Sequence, residues 1–225
     1  MKAPILTLTL AATLALAGCS SLVGGGDREP TTIYSPIVQV TPDPAWPTIP
    51  WSVVVSKPSA PRVLDSSRIA VRPVEHELQV YHGAAWAQSA TDMLQDAVVR
   101  TLEDSGKTGG TGTTESGIRG TYKLVLEVRR FEADYAGAAQ PTVHVVVNAK
   151  LVQSYDQSVA ASRTFTSAQP VGSTEIAQVV QGFDRALTQV TGEISGWTLT
   201  SAQAHPPAET SRPKAAAAGK ATPAR

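Results

Sequence analysis

The residue with the most definite chemistry is Cys19, the single cysteine of a 225-residue chain. It follows a short apolar run over residues 5–17, and Lys2 supplies a positive charge ahead of that run. A positive start, a brief apolar stretch and small residues before a cut are typical of a bacterial secretory signal. A membrane-spanning helix needs about twenty apolar residues, and the glycines at 24–26 come before that length is reached. The sequence therefore predicts a signal peptide over residues 1–18.

The residues Leu16 to Cys19 resemble the lipobox of bacterial lipoproteins. The resemblance implies cleavage before Cys19, a diacylglycerol on its thiol and acylation of the new amino terminus. With methylene groups worth roughly 0.8 kcal/mol each, three acyl chains supply on the order of 30 kcal/mol, which makes the anchor permanent. In such lipoproteins a serine in the next position, here Ser20, is associated with export to the outer membrane. We expect a protein lipid-anchored to the periplasmic side of the outer membrane; an unmodified cysteine or an uncleaved helix is the alternative.

Composition indicates one soluble domain on that anchor. Hydrophobic residues make up 42% of the chain, charged residues 17%, and the formal net charge is zero. Because no basic field is present to attract a polyanion, nucleic acid is excluded as a partner. The periplasm permits disulfides, yet no second cysteine exists to form one, so an ordinary hydrophobic core must supply the stability.

No other group of residues has the spacing of a metal or catalytic site. The four histidines share neither an i, i+2 nor an i, i+4 spacing: His76, His82, His144 and His205. The Asp65-Ser66-Ser67 sequence lacks the glycines of a nucleophile elbow and is interpreted as a turn. We predict that the protein is not an enzyme and binds no metal and no cofactor. A periplasmic hydrolase is the enzymatic alternative.

One predicted strand carries a dense run of charges: Glu127, Arg129, Arg130, Glu132 and Asp134. Opposite charges on the exposed side of a sheet usually pair across neighbouring strands. We therefore interpret the run as ion pairs of a solvated face rather than as catalytic groups.

The chain divides into four predicted parts. A Gly-, Thr- and Pro-rich stretch after the signal is a lipidated amino terminus and flexible tether over residues 19–47, with a reach of at most roughly 95 Å. The folded domain follows over residues 48–199, and an Ala-, Pro- and Lys-rich stretch predicts a disordered tail over 200–225. Four apolar residues leave open that part of the tether packs on the domain: Ile33, Tyr34, Ile37 and Val38.

Hydrophobic periodicity supplies the elements of the domain. Alternation predicts extended segments over residues 51–55, 68–72, 77–81, 120–135, 142–152 and 159–165. A helix capped by Ser89 or Thr91 ends at Gly106, and a second helix, capped by Ser173, ends near Gly196. Val180, Phe183 and Leu187 lie on the inner stripe of the second helix. We predict an α/β fold of the α+β type, a single compact domain in which two principal helices pack on a mainly antiparallel sheet.

The glycines at 109, 110 and 112 resemble those of a phosphate-binding loop, but their spacing does not fit one. A phosphate loop has a glycine five residues before its Gly-Lys pair, but that position is Thr101, inside the first predicted helix. Residues 107–112 are therefore predicted to form a mobile connection.

Several segments in the order and spacing shown here resemble one family: Lys57-Pro58, Leu64 to Pro73, Glu77 to Tyr81, Ala85 to Ala87, Leu124 to Tyr135, Arg163 to Phe165 and Gly196-Trp197. This is the ABC-type transport auxiliary lipoprotein component family, and the resemblance covers residues 34–200. It implies a partner of MCE-type systems, which move phospholipids or other lipids between the two membranes with a permease, an ATPase and a periplasmic MCE protein. It implies no catalytic residues, and it leaves open direct contact with lipid.

The predicted partner contact consists of Tyr81, His82 and Trp86, because these residues cluster in an irregular segment and aromatics are frequent at interfaces. The alternative is that Tyr81 and Trp86 only cover the sheet edge. A structural or assembly lipoprotein of the envelope would share all of these features except the transport partner. The sequence also leaves open a homo-oligomer, which would suit a ring-shaped MCE partner.

Overall fold

A computed structural model describes residues 30–207, which form one sheet of eight strands, two α-helices and a single 3₁₀ turn over Thr114–Ser116. The strands are β1 (Thr32–Tyr34), β2 (Ser52–Val55), β3 (Arg68–Arg72), β4 (Gln79–Trp86), β5 (Gly110–Thr113), β6 (Tyr122–Asp134), β7 (Thr142–Gln153) and β8 (Val159–Pro170). The helices are α1 (Ala90–Ser105) and α2 (Ile176–Ala204). The predicted α+β fold is confirmed. The predicted signal peptide, Cys19 and most of the predicted tail lie outside the described residues.

Strand β6 is the central strand of the sheet. Along one side it pairs antiparallel with β7, and β7 pairs antiparallel with β8, so the predicted meander is confirmed. Along the other side β2 pairs in parallel with residues 122–124, and β3 pairs in parallel with residues 133–134. Strand β5 extends the sheet beyond β2, while β4 and β1 extend it beyond β3. The two ends of β6 therefore have different neighbours, and the sheet is mixed although its two longest pairings are antiparallel.

The two helices pack on the core residues of the sheet. Along β6 the side chains of Leu124 and Leu126 are buried, whereas the alternate residue Glu127 is exposed. The predicted inner stripe of α2 is confirmed, because Val180, Phe183 and Leu187 are all buried in the same core. Within residues 30–207, neither helix combines the length and apolarity that a membrane span requires.

The first helix begins and ends as predicted, and the second does not. Ser89 caps α1 by accepting a hydrogen bond from the Asp92 N–H. At the start of α2, Ser173 accepts from the Glu175 N–H instead of capping the helix, and Glu175 occupies the cap position. The helix also runs past Gly196 and past the predicted domain boundary at 199, to Ala204.

Buried residues and hydrogen bonds within the helix explain why α2 continues past residue 199, although its polar composition there favours a loop. Leu199 and Ala202 continue the buried stripe. The hydroxyl of Thr198 donates to the Ile194 carbonyl, 2.8 Å away, and the hydroxyl of Thr200 donates to the Gly196 carbonyl. These bonds satisfy both threonine hydroxyls within the helix, so Thr198 and Thr200 do not end it here.

Two further segments differ from the prediction. Residues 107–112 are not a mobile connection throughout, because β5 pairs in parallel with β2. A strand of Gly and Thr has no apolar alternation, so its pairing depends on backbone bonds that the sequence pattern does not reveal. The return strand β8 also continues beyond Phe165 to Pro170.

The second half of the predicted tether packs on the domain. Strand β1 pairs in parallel with β4, and Trp46 crosses α2 where a Cβ on Gly196 would lie only 2.5 Å from the indole Nε1. Lys107 Nζ donates to the Pro44 and Trp46 carbonyls and fixes this crossing. We call residues 32–49 the strap.

The sequence left open whether part of the tether packs on the domain, and the structure shows that the strap does. Tyr34 and Val38 pack against the core, whereas Ile33 and Ile37 are 60% and 66% exposed. The sequence between Cys19 and β1 then has about 13 residues and can span at most about 45 Å, half of the value for the whole predicted tether. The apolar residues of the strap were visible in the sequence, but its path across α2 depends on tertiary contacts.

Candidate docking surface

Trp86 is a core residue and does not belong to an accessible surface. Its side chain is 2% exposed, and its ring packs edge-on against Phe183, with ring centroids 5.0 Å apart. Phe131 contacts both rings. The prediction of a partner contact at Trp86 is therefore wrong, because β4 continues farther than predicted and brings this residue under α2.

The other two predicted contact residues lie nearer the surface. His82 is exposed, and Tyr81 is half-buried with its hydroxyl 3.4 Å from that of Tyr135. Burial, and then the neighbouring Tyr135, raises the pKa of Tyr81 well above its ordinary value, so the phenol stays neutral. The structure does not bring the three predicted residues together as one exposed aromatic patch.

The charged run at the carboxyl-terminal end of β6 forms a closed ionic cluster. Glu132 is 2% exposed, and it accepts hydrogen bonds from Arg72 Nε at 3.0 Å and from Arg130 Nε at 2.9 Å. Arg130 also binds Asp134, at 2.6 Å. Two positive and two negative groups thus satisfy one another, which confirms the predicted ion pairing, although only the Arg72 bond crosses between strands.

His144 lies on β7 directly opposite Glu132. Its pKa is lowered, mainly by burial and further by the positive charge of Arg130. The neutral imidazole adds no charge to the cluster, so this end of β6 presents neither an unpaired charge nor a nucleophile with a base beside it.

An open groove of about 870 Å³ lies at the opposite, amino-terminal end of β6. Its lining comes from five segments: β2 with the residue before it, the turn after β5, the segment that leads into β6, the turn between β7 and β8, and the residues that follow α2. The side chains that define its character are Trp51, Arg119, Lys123, Tyr155, Pro206 and Pro207. We call this feature the β6 groove.

Local hydrogen bonds and a close contact shape the β6 groove. Ser52 Oγ accepts from the Thr121 N–H at 3.0 Å and lies 3.4 Å from the Arg119 carbonyl oxygen, so this segment is held against β2. A Cβ on Gly120 would lie 2.8 Å from a methyl carbon of Val54. Glycine at this position therefore lets the chain lie directly on the floor of the groove.

The charges that line the β6 groove are positive. Arg119 is exposed, and its guanidinium has no hydrogen-bond or ion-pair partner within residues 30–207. Lys123 Nζ donates to the side-chain oxygen of Gln157 at 3.1 Å. The flanking carboxylates are engaged in their own loops: Glu115 accepts from Thr114, and Asp156 accepts from Ser158.

Hydrogen bonds from their own loops lower the pKa values of Glu115 and Asp156, and both carboxylates stay charged at neutral pH. Across residues 30–207 no three His, Cys, Asp or Glu side chains gather in an arrangement suited to a metal ion. Sequence reasoning missed the groove because its residues come from five separate segments; an isolated tyrosine in the 155–157 turn was the one local signal.

The sequence profile of the ABC-type transport auxiliary lipoprotein component family matches residues 32–195. The crystal structure of protein XCC0632 from Xanthomonas campestris is 57% identical in sequence, with a TM-score of 0.75. The similarity covers 77% of this chain and 98% of that one.

Two more distant relatives extend the comparison. A crystal structure of an uncharacterized protein shares 15% identity with a TM-score of 0.57, covering 74% of this chain and 97% of that one, and shows likeness of fold alone. An uncharacterized protein of Bradyrhizobium diazoefficiens, bll6063, is 25% identical over 184 residues, which are 82% of this chain. The chain spans only 49% of the length of that relative.

Proposed function

The chain belongs to the ABC-type transport auxiliary lipoprotein component family, and on this basis we propose that it docks, without catalysis, onto the periplasmic part of an MCE-type lipid transporter. The observation that carries the proposal is the family match over residues 32–195, which includes the strap and nearly all of the folded domain. A permease and an ATPase in the inner membrane would supply the energy, and this subunit would supply an anchored contact.

The arrangement of reactive groups supports docking over hydrolysis. A hydrolase needs a nucleophile and a base that converge in a cavity. Glu132, the most deeply buried carboxylate among the described residues, is held by two arginines, and His144 faces that same closed cluster. The alternative is a structural lipoprotein of the envelope. The gene of such a protein would not lie beside genes for an MCE protein and an ABC transporter.

We further propose that Cys19 carries the lipid and that Ser20 directs the protein to the outer membrane. A link of about 13 residues would keep β1 within about 45 Å of that membrane. Metabolic labelling with palmitate tests the attachment, because Cys19→Ser should give an unlabelled, unprocessed protein. Label that persists in this variant contradicts the proposal.

The docking function is tested by purifying the intact lipidated protein from envelope membranes under mild detergent. We expect the MCE protein and the ABC subunits to copurify and to be lost when Cys19→Ser prevents lipidation and processing. The same purification, followed by mass measurement of the intact complex, gives the number of copies and tests the homo-oligomer that the sequence leaves open. Purification of the lipidated protein without any transporter subunit would contradict the docking function.

A further inference from the structure

We infer that the β6 groove is the binding site for an acidic, extended peptide segment of the partner protein. The inference rests on the proposed docking function and adds to it the place of contact and the chemistry of the ligand. It replaces the surface around Trp86, which is buried.

The charge of the groove selects an anionic ligand. Arg119 and Lys123 line it, and no carboxylate side chain does. The Arg119 guanidinium, without a partner in the described part of the chain, presents N–H donors in the fork geometry that matches a carboxylate. Two acids that neighbour lining residues in sequence already accept hydrogen bonds, Glu115 from Thr114 and Gln95, and Asp156 from Ser158. A carboxylate from outside is therefore the group that completes the pairing of Arg119.

The apolar surfaces of the groove provide anchors for neighbouring side chains. Tyr155 is 84% exposed at the tip of the β7–β8 turn. Trp51 is half-buried and held edge-on against Tyr122, with ring centroids 6.0 Å apart. Pro206 and Pro207 also line the groove. Rigid aromatic and proline surfaces bury area on binding at a low cost in side-chain entropy, so the ligand should carry apolar residues between its acids.

The rest of the lining favours a peptide over a lipid. Thr121, Gln153 and Ser154 bring hydroxyl and amide groups that can bond to a peptide main chain. Apart from Val54, the apolar surface of the lining comes from aromatic and proline rings, so the groove offers no continuous aliphatic channel for an acyl chain. An extended peptide can use both the hydroxyl and amide groups and the apolar rings.

The position of the groove also favours a periplasmic protein. Strand β6 has 13 residues and spans on the order of 40 Å at about 3.3 Å per residue. The chain enters the domain at β1, on the side of β3 and β4, which is the carboxyl-terminal end of β6. The groove therefore lies at the opposite end of β6 from the point where the chain enters the domain, which leaves it accessible to a protein in the periplasm.

The chain's own tail is a poor occupant, although it leaves the domain beside Pro207. Residues 208–225 contain Arg212, Lys214, Lys220 and Arg225 but a single acidic side chain, Glu209. Their net positive charge has the same sign as Arg119 and Lys123. Charge complementarity thus assigns the groove to a separate, acidic chain.

The test uses the intact lipidated protein in detergent and fluorescence anisotropy of a short labelled peptide that alternates glutamate with leucine. We expect Arg119→Gln to weaken binding about tenfold, the effect of losing roughly 1.4 kcal/mol from a charge-assisted bond. Arg62→Gln, which removes an exposed arginine outside the groove, is the matched control and should leave the affinity unchanged. Equal affinities for Arg119→Gln and the unaltered protein overturn the inference.

Further variants and ligands in the same binding experiment identify the class of ligand that the groove binds. Tyr155→Phe should keep the affinity and Tyr155→Ala should lower it several-fold, because the ring makes the contact. A peptide with glutamine in place of glutamate should bind more weakly. Binding of glycerol phosphate that depends on Arg119, with no binding of the acidic peptide, would assign the groove to a lipid headgroup. Tighter peptide binding after deletion of residues 208–225 would assign it to the tail, and either result overturns the inference.

Copurification separates this inference from the proposed function. If Arg119→Gln still copurifies the transporter and the peptide affinity is unchanged, the docking function stands and the groove is not its site. If the peptide binds through Arg119 and no transporter subunit copurifies with the unaltered protein, the groove assignment stands and the proposed function fails.

Discussion

The two ends of β6 carry similar types of residue, aromatic and charged. At one end these side chains are buried or paired, and at the other end they are exposed. At the carboxyl-terminal end, Trp86 packs under α2 and Glu132 is enclosed by two arginines, so that end is closed. At the amino-terminal end, Tyr155 and Arg119 project from short loops, and the arginine has no partner in the described residues. An aromatic or a charge thus indicates a binding surface only where the fold leaves its contacts unsatisfied.

The largest expected difference between the two ends is in their aromatic residues. Trp86→Ala should lower the free energy of unfolding by about 3–5 kcal/mol, because the buried indole contacts Phe131 and Phe183. Tyr155→Ala, at the exposed end, should change it by less than about 0.5 kcal/mol. Urea unfolding of both variants measures the difference. Similar losses in the free energy of unfolding for the two variants would contradict the description of one end as closed and the other as open.

The helix that covers the closed end gives a second test of the same core. Phe183→Ala should cost about 3–5 kcal/mol, since the ring is fully buried against Trp86. Val159→Ala, at an exposed position of β8, serves as the control and should have little effect. A loss below about 1 kcal/mol for Phe183→Ala would mean that α2 does not pack as described.

The ionic cluster should be costly to open. Glu132→Gln leaves Arg72 and Arg130 without their shared carboxylate, and we expect a loss of about 2–3 kcal/mol, less than for a fully buried pair because both arginines are partly exposed. Glu127→Gln breaks an exposed pair with Arg129 and should cost less than about 1 kcal/mol. Chemical unfolding of the two variants distinguishes them, and equal costs would contradict the closed cluster.

The floor of the groove can be disturbed without touching its ligand-binding side chains. Gly120→Ala places a methyl group against Val54 and the Tyr122 carbonyl, and we expect a loss of about 1–3 kcal/mol together with weaker peptide binding. Gly172→Ala is the control, since no atom lies within 4 Å of its added carbon. Unchanged stability and binding in Gly120→Ala would show that this close contact does not shape the groove.

The smallest expected effect is a pH dependence at the closed end. Because the folded-state pKa of His144 lies below its ordinary value, the unfolded chain binds the proton more readily. The contribution of His144 is therefore complete above the ordinary histidine pKa and is lost as the pH falls through the folded value. His144→Gln should flatten the decline in unfolding free energy between about pH 7 and pH 5. An identical decline in the variant would exclude His144 as its source.

The sequence predicts the elements whose stability depends on their own periodicity. The meander and the inner stripe of α2 have regular apolar spacing, and both are confirmed. Strand β5 has no such pattern, because Gly110 to Thr113 pair with β2 through their backbone. The last turns of α2 were missed because Thr198 and Thr200, which favour loops, satisfy their hydroxyls within the helix.

The candidate site was less predictable than the fold. Trp86 looked available because the segment around it is irregular, yet its environment is decided by α2, distant in sequence. The β6 groove joins residues from Trp51 to Pro207, and no local spacing brings those residues together. Residue type identifies what a side chain can do, and only the tertiary structure decides whether it is free to do so.

The most direct test of the central claim is photo-crosslinking in intact cells that express the lipidated protein. A photo-reactive amino acid replaces Tyr155 at the groove or, in the matched control, the exposed Val74 near the carboxyl-terminal end of β3. We predict a crosslink to the periplasmic MCE protein from the Tyr155 position, lost in combination with Arg119→Gln, and none from the Val74 position. A transporter crosslink from the Val74 position, with none from the Tyr155 position, would contradict docking through the groove.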